Sequence, residues 1–513
     1  MNGHLFKSLF SIRNRTALSR SPLAQDNSQS PGIPSTGKGS YLFMLGTILL
    51  FVAELSPLCT PGPEDDTVAT DGLEHALKMR QYPEFIEQAK KNPWYSSSKN
   101  ELLLNLDSGV AEVFSGDNES GAKKLIRVGD LGEEYYTKSI TQNILSVLTN
   151  DRALPYYGED FELTFAGNIA ALAYAASGSL KEALVEVRRS ENRLSVISSA
   201  YEGKDKYSDD AFAHYFAGLL FEASGNYNDA VVSYKNAYTS YGSRFFPMRP
   251  KYLTRALIGA SVAGNIDPGF GFQTLKDSLA VVDREISARA DPDSSAAFVV
   301  NSMIVIAFTG RGPKKVEQVL SAHFTDKGVD YLMKIALPEI VRRESSIASV
   351  RLRVDDGDTY DMELAADYNH IGVNAFNDKR TFIYLKTVAR VSARYLMMRE
   401  TKEKTLKKLQ EKYEKAKKKD GEDSDEAKDI KLQIRALSYT LDLLANELLE
   451  HADTRCSLIL PGKAFIARVP VQSDSHHVRI EYLDSRGDVL DAQQRRILFT
   501  PGQGRVELFT ALF

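Results

Sequence analysis

Apolar positions along this chain fall into blocks of different period. From Gly72 to about Ser287 they recur three and four apart with no sustained alternation, which predicts helices. From Ala297 the pattern changes. "AFVVNSMIVIAFTGRGP" and "SSIASVRLRVDDGDTYDMEL" are rich in β-branched residues, alternate, and close on Asp-Gly turns, so they predict strands. Between Asn374 and about Ala452 helical spacing returns. Val388, Val391, Tyr395 and Met398 form one stripe, and Leu406, Leu409, Tyr413 and Ala416 continue it after a one-residue phase shift. The charged run "KAKKKDGEDSDEAK" marks a turn, after which Ile430, Ile434, Leu437, Leu441, Leu444 and Leu448 recur by fours and threes. That is the seam of an antiparallel coiled-coil hairpin. From Cys456 to the end the chain alternates again, with Pro and Gly between runs. It predicts a small β-sandwich that shares a sheet with the strands before the hairpin.

Within the first block the stretch "FAHYFAGLLFEASGNYNDAVVSYKNAY", Phe212 to Tyr238, is the most ordered. Counted from Ala230, Gly218, Phe221 and Gly225 precede it and Tyr234 and Ala237 follow it. Counted from Ala183, the residues Ala171, Tyr174, Gly178, Val187 and Ser190 fall on the same offsets. Small residues let two helices approach, an aromatic wedges between them, and Gly225-Asn226 turns the chain. These are the spacings of a tetratricopeptide unit. A degenerate unit centres on Ala122, near Val110, Val113 and Gly116, and a weaker one covers Tyr252 to Asn265. The second helix of the Ala183 unit is expected to run long, through "RLSVISSAYEGKDKYSDD". Three or four such hairpins suffice for a small solenoid with a shared core.

The predicted fold is therefore α+β. An N-terminal tetratricopeptide-like α-helical solenoid precedes a C-terminal β-rich, sandwich-like region, which a long antiparallel helical hairpin interrupts. The expected boundaries are 1–59 for a signal or anchor segment, 60–72 for a linker and 73–290 for the repeats. They continue with 297–373 for a β-rich segment, 374–452 for the hairpin and 453–513 for a C-terminal β domain.

Length and charge narrow the classes. A chain of 513 residues exceeds one ordinary core, and about two to four domains are expected. With 43% apolar and 26% charged residues and a net charge of −4, it has no basic excess for nucleic acid. Its first residues carry Lys7, Arg13, Arg15, Arg20 and Lys38 against Asp26, followed by the apolar run "YLFMLGTILLFVA", Tyr41 to Ala53. As a helix that run rises only about 20 Å, short of the roughly 30 Å hydrocarbon core. It reads as a signal-peptide apolar region, with an uncleaved anchor extended by Leu55 and Leu58 as the alternative. Either places the remainder outside the cytoplasm. Cys59 stands where an acylated cysteine would follow such a signal, although Leu58 and Pro57 before it make a poor acylation motif. The second cysteine, Cys456, gives no disulfide framework and is expected to be buried.

Several segments together resemble a family of uncharacterised bacterial tetratricopeptide-containing lipoproteins, from about Leu102 to the C-terminus. The resembling residues are "YTKSI" (136–140), "LTND" (148–151), "YYGEDFE" (156–162), "ALVEVRRSENRL" (183–194), "YSDDAFAHYFAGLLFEASG" (207–225) and "ADTR…LILPGKAFIARVPV" (452–471). The resemblance implies an envelope lipoprotein with helical repeats and a β-rich C-terminal part, and it brings no catalytic residues. This chain departs from the family in its poor acylation motif and in its charged hairpin tip, where relatives tend to be small and apolar.

Candidate chemistry is sparse. His476 and His477 are adjacent in a predicted strand and face opposite ways, and His214 reads as a packed histidine. "VDDGDTYD" reads as a hairpin turn, with a calcium loop through Asp355, Asp356 and Asp358 as its rival. "GRGPKK" lacks the length and the Ser/Thr of a phosphate loop. In "YYGEDFE", Glu159 or Asp160 reads as a helix cap more readily than as a catalytic acid. No metal, cofactor or catalytic residue is expected. The predicted function is a non-enzymatic cell-envelope scaffold, anchored by its N-terminus or a lipid and facing the periplasm. It would hold an envelope protein or peptide in a groove lined by Asn168, Tyr215 and Glu222, with Phe212 at the rim. Arg188 and Arg189 could meet an acidic ligand or pair with acids of neighbouring helices. The alternative is a structural subunit that oligomerises through the helical hairpin, and an envelope hydrolase is the third reading.

Overall fold

The computed structural model describes residues 60–61, 67–142, 152, 154–200, 207, 209–269, 302–326, 329–355, 358–447, 451–470, 475–498 and 505–511. The leader with Cys59, the segment 143–151 and the end of the repeat region beyond 269 lie outside them.

The chain is mixed, with an N-terminal helical region and C-terminal sheets. Nine helices are described in the first region: α1 (Thr67–Lys78), α2 (Tyr82–Lys91), α3 (Glu101–Ser115), α4 (Asn118–Gln142), α5 (Asp160–Ala176), α6 (Leu180–Ala200), α7 (Ala211–Ala223), α8 (Tyr227–Ser240) and α9 (Lys251–Gly264). Local chemistry starts and stops them. Asp210 accepts the Ala213 amide at 2.7 Å to open α7, and Asn226 accepts the Asp229 amide at 3.2 Å to open α8. Between them Gly225 takes φ +77°, a left-handed angle that glycine adopts without a Cβ penalty. At Gly218 a Cβ would overlap the Tyr234 ring, so glycine is what lets α7 and α8 touch. The weaker unit at Tyr252–Asn265 is the single helix α9, ended by Asn265 at φ +52°.

Eleven strands are described. β1 (Thr60–Pro61), β3 (Lys314–Asp326) and β4 (Val329–Val341) make one sheet in the order β1-β3-β4. β2 (Ser302–Thr309), β7 (Glu363–Asp367), β8 (Lys463–Pro470) and β11 (Arg505–Ala511) make a second, ordered β11-β2-β8-β7. The third, β10-β9-β5-β6, holds β5 (Ser349–Val354), β6 (Asp358–Asp361), β9 (Ser475–Leu483) and β10 (Val489–Leu498). Strands from either side of the helical hairpin thus share both four-stranded sheets, as the alternating pattern predicted.

Alternation along β2 and β8 explains the layering. Met303, Val305 and Ala307 of β2, with Phe465, Ala467 and Val469 of β8, pack against Val350, Leu352, Val478 and Ile480 of the third sheet. The intervening residues, Ile304, Ile306 and Phe308 with Ala464 and Ile466, face the helices and join their core. The second sheet is therefore buried on both faces, in a helix–sheet–sheet stack. Residues 58–513 form one compact unit. The expected separate repeat and β domains are corrected accordingly, because one apolar core runs through both.

Two boundaries also move. The predicted linker at 60–72 contains β1 and the first turns of α1, and the hairpin begins before Asn374, where Asp367 accepts the His370 amide at 2.9 Å. From that cap α10 (Tyr368–Asp420) runs for 53 residues, about 80 Å of helix. α11 (Asp425–Glu447) returns along it, with Ala416, Ala427 and Ile430 buried between them beside Leu409, Tyr413 and Ile434. β3 and β4 form a long hairpin beside this pair, and Tyr384 of α10 donates to Glu339 of β4 at 2.8 Å. β3 and β4 fall inside the expected β-rich segment 297–373, between the two runs whose alternation marks individual strands.

Two glycines of helix interiors should respond oppositely to alanine. Gly218→Ala is expected to cost about 1–3 kcal/mol, because the Tyr234 ring must shift. Gly259→Ala in α9 meets nothing within 4 Å and should stabilise by about 0.5–1 kcal/mol. Urea unfolding of the two variants beside the parent measures both.

Candidate functional site

The first helices of the hairpins, α3, α5 and α7, turn their inner side toward the second sheet and the segment that leads into β8. Each presents a buried acid to that side. Asp107 of α3 accepts from Ser457 Oγ at 2.5 Å and from the Leu458 amide at 3.1 Å. Glu162 of α5 accepts the Ser457 amide at 2.9 Å. Glu222 of α7 takes both arms of the Arg468 guanidinium, at 2.7 and 3.1 Å, and the Tyr234 hydroxyl at 2.5 Å. Arg468 also donates to Ser302 at 3.0 Å. The inner face of the repeats binds a peptide segment, and that segment is the chain's own residues 457–468.

The predicted groove is corrected on this point. Asn168 is 5% exposed, Phe212 2%, Tyr215 1% and Glu222 5%. Phe212 stacks on Phe216, Tyr215 lies against Tyr234, and Phe165 is wedged between Phe308 and Tyr368. Glu222 reaches the sheet through Arg468, whereas Asn168 meets Ser190 of α6, so among the described residues these four form packing contacts and do not line an open groove. Arg188 and Arg189 are likewise engaged. Arg188 pairs with Asp229 at 3.0 Å and lies over the Phe221 ring, while Arg189 pairs with Asp130 and Glu133. They take the second of their two readings, pairing with acids of neighbouring helices.

"YYGEDFE" lies in the same polar seam. The Glu159 amide donates to Glu162 Oε2 at 3.0 Å in a capping box that opens α5. Glu159 also meets Lys315 at 2.6 Å and Lys379 at 3.4 Å, and Asp160 meets Lys379 at 2.9 Å. Burial alone would raise the Glu159 carboxyl, but the two lysines override it and hold it at about 2. Tyr156 donates to Glu162 at 2.5 Å, and Tyr95 donates to Asp107 at 2.6 Å. Burial lifts the Asp107 carboxyl to about 6 despite these donors. Every oxygen of Asp107 and Glu162 is engaged by this chain, so the cluster joins layers and presents no unengaged acid. Cys456, half-buried where full burial was expected, lies beside it, and desolvation pushes its thiol up.

The remaining candidates are turn and packing groups. Asp355, at φ +50°, accepts His476 Nδ1 at 2.8 Å and the His477 amide at 2.8 Å, while His476 is buried and His477 exposed. Among the described residues no group of three His, Cys, Asp or Glu is placed to hold a metal ion, and no helix is long and apolar enough to cross a membrane. His214 is buried between Asp209 at 2.6 Å and Glu191 at 3.5 Å. Burial would lower its pKa, but hydrogen bonds to these acids raise it to about 9.

Sequence reasoning missed Arg468, Lys315 and Asp107. A signal for Arg468 was present: a charged residue inside the apolar run "KAFIARVP" must find a buried partner. Asp107, in "LLLNLDSGV", carries the same signal on helical spacing.

No protein-family model matches the chain, and no curated protein matches it. Among solved structures, one titled "Crystal structure of MamA protein" aligns over 44% of this chain and 94% of that one, at 12% identity and a TM-score of 0.26. A likeness of that degree does not bear on function.

Breaking the Glu222–Arg468 pair from one side should be severe. Glu222→Ala or Arg468→Met is expected to cost about 3–5 kcal/mol in urea unfolding, and pairing Glu222→Met with Arg468→Met should recover most of that loss. His214 gives a pH signature. Its folded pKa, about 9, lies above the unfolded value. Its contribution, on the order of 3 kcal/mol, is therefore full below about pH 6.5 and lost as pH rises through about 9. Thermal melts from pH 6 to 10 should show this decline, and His214→Gln should flatten it.

Proposed function

We propose that this protein is a non-catalytic scaffold of the bacterial cell envelope, whose working surface is the arm built from α10–α11 and the β3–β4 hairpin. The helical hairpins act as tetratricopeptide-type repeats turned inward. They hold the chain's own β layer, and the arm is what the assembled body presents to partners. The observation that carries this reading is the exposure on α10: Phe382 is 71% exposed, with Leu385 and Leu396 at 44% and 46%. Large apolar side chains held in solvent on a rigid helix mark an interaction surface. Their exposure contrasts with Tyr215 and Phe212, the most buried of the groove candidates.

What supports the envelope setting is the sequence of the leader, basic and then apolar, ending at Cys59. Thr60–Pro61 follows Cys59 directly and pairs with Gln318–Val319 of β3. An enzymatic role has little support, since the acids of the central cluster are engaged by this chain's own donors.

Cross-linking and affinity capture in native envelopes tests the proposal. The protein should fractionate with membranes, and Phe382→Glu should lose the captured species while Tyr215→Ala lowers the melting temperature and keeps them. Capture lost on Tyr215→Ala at a temperature where that variant is folded, and unaffected by Phe382→Glu, would sink it.

A further inference from the structure

Beyond the buried stripe of Val388 and Val391, α10 carries a second apolar stripe on its outer side. Phe382, Leu385, Ala389 and Leu396 are all exposed and follow one another at spacings of three, four and seven. At 100° per residue they fall within roughly 60° of arc. A face that narrow is a coiled-coil seam; a helix lying on a bilayer or on its own core shows a wider one. The occupant that fits is therefore another helix. Thr381 and Lys386 flank the stripe, and Asp378 and Glu400 close its two ends.

The stripe is also symmetric. Phe382 and Leu396 stand at equal distances in sequence on either side of Ala389, as do Leu385 and Ala393. A second α10 crossing it antiparallel, with the two-fold axis at Ala389, would set Phe382 against Leu396 of the other copy and Leu385 against its Ala393. Ala389 would meet its own counterpart. The smallest side chain then sits where the axes come closest, and large residues face smaller ones on each side, which is what close helix packing requires. A contact in which one patch meets itself is the isologous contact of a two-fold dimer.

We propose that this face of α10 is a homodimer contact, with a second copy of this chain crossing antiparallel at Ala389. The proposal rests on the reading of the arm as the working surface and names its partner. The size of the patch sets its strength. The stripe offers roughly 300–400 Å² of apolar surface per copy, so the pair buries about 700 Å² before flanking side chains are added. That is below the usual stable interface of about 1,200 Å² or more, and the dimer should be weak and concentration-dependent, in the micromolar range. Confinement to a membrane surface would raise its effective concentration.

The test uses the full purified chain in detergent-free buffer, or in mild detergent if the leader requires it. Light scattering between about 1 and 100 µM should show mass rising from monomer to dimer. Phe382→Glu and Leu385→Glu, both at exposed sites, should raise the dimer Kd at least about tenfold without changing the thermal melt. Ala389→Cys with a short bis-maleimide should give a covalent dimer joined through residue 389. The parent and Val232→Cys, exposed on α8, should not. A monomer at every concentration overturns the proposal, as does a dimer indifferent to both substitutions. So does a Phe382→Glu variant that melts lower while the parent stays monomeric, since the stripe would then be covered by another part of the same chain. If the dimer is absent but arm-dependent capture in envelopes persists, the homodimer fails and the wider role of the arm stands. If both are absent, both fail.

Discussion

Arg468 projects from a strand covered on both faces, and Glu222 is what makes that burial tolerable. An unpaired guanidinium there would carry a desolvation penalty of several kcal/mol. Glu222 meets it with two parallel hydrogen bonds, while Tyr234 occupies the remaining acceptor site on the carboxylate and Ser302 takes the free Nε. A buried pair of this kind adds little stability over an apolar pair of the same size. Its effect is on register. Ala464, Ile466 and Arg468 face the helices, and Phe465, Ala467 and Val469 face the other sheet. A slip of β8 by one residue would turn Arg468 into the sandwich interior, where Val350, Leu352 and Ile480 offer no acceptor. The ion pair therefore selects one alignment of helix layer on sheet, and the apolar contacts on either side stabilise it.

The same device recurs along the inner face. Asp107, Glu162 and Glu222 come from three successive first helices, and all three bind the stretch from Ser457 to Arg468. Further acids and bases lock the edges of this seam. Glu363 of β7 accepts the amides of Lys251 and Tyr252 at 3.0 and 3.1 Å and so caps α9, which lacks a cap of its own. Arg455 reaches the Leu154 carbonyl at 3.0 Å, and Arg80 pairs with Asp491 across the layers. Stacked hairpins need a partner for their inner face. Here the chain supplies it, and the ligand of the repeats is covalently attached.

Much of the fold was legible because its determinants are local. Gly218 with Tyr234, Gly225 with Asn226, and Ile430 with Ile434 at the start of α11 each specify a contact within one hairpin, and periodicity reports such contacts directly. The capping role of "YYGEDFE" was legible for the same reason. The closure of the groove was not, since it depends on residues far apart in sequence, such as Glu222 and Arg468. A helix face that binds a foreign peptide and one that binds a distant strand carry the same side chains. The β3–β4 hairpin escaped for a different reason. Its run "KKVEQVLSAHFTDKGVDYLMKIALPEIV" mixes polar and apolar residues on both faces, and Pro338 interrupts it, so neither period stands out.

Filling the inner face has a consequence for what the outside must do. The exposed valines of the repeat helices, Val185, Val196, Val232 and Val262, are scattered singly over several helices, as on any protein surface. On α10 the exposed apolar residues are instead aligned, and on a helix already anchored at its root by Asp367 and braced against β4 through Tyr384. Rigidity of that sort lowers the entropic cost of association, because the helix is ordered before any partner arrives. The charged tip beyond Glu400 has its own small core of Ala416, Ala427 and Ile430, which packs α11 against α10. In this architecture the repeats hold the body together, and the recognition proposed for the protein falls to the helix that leaves it.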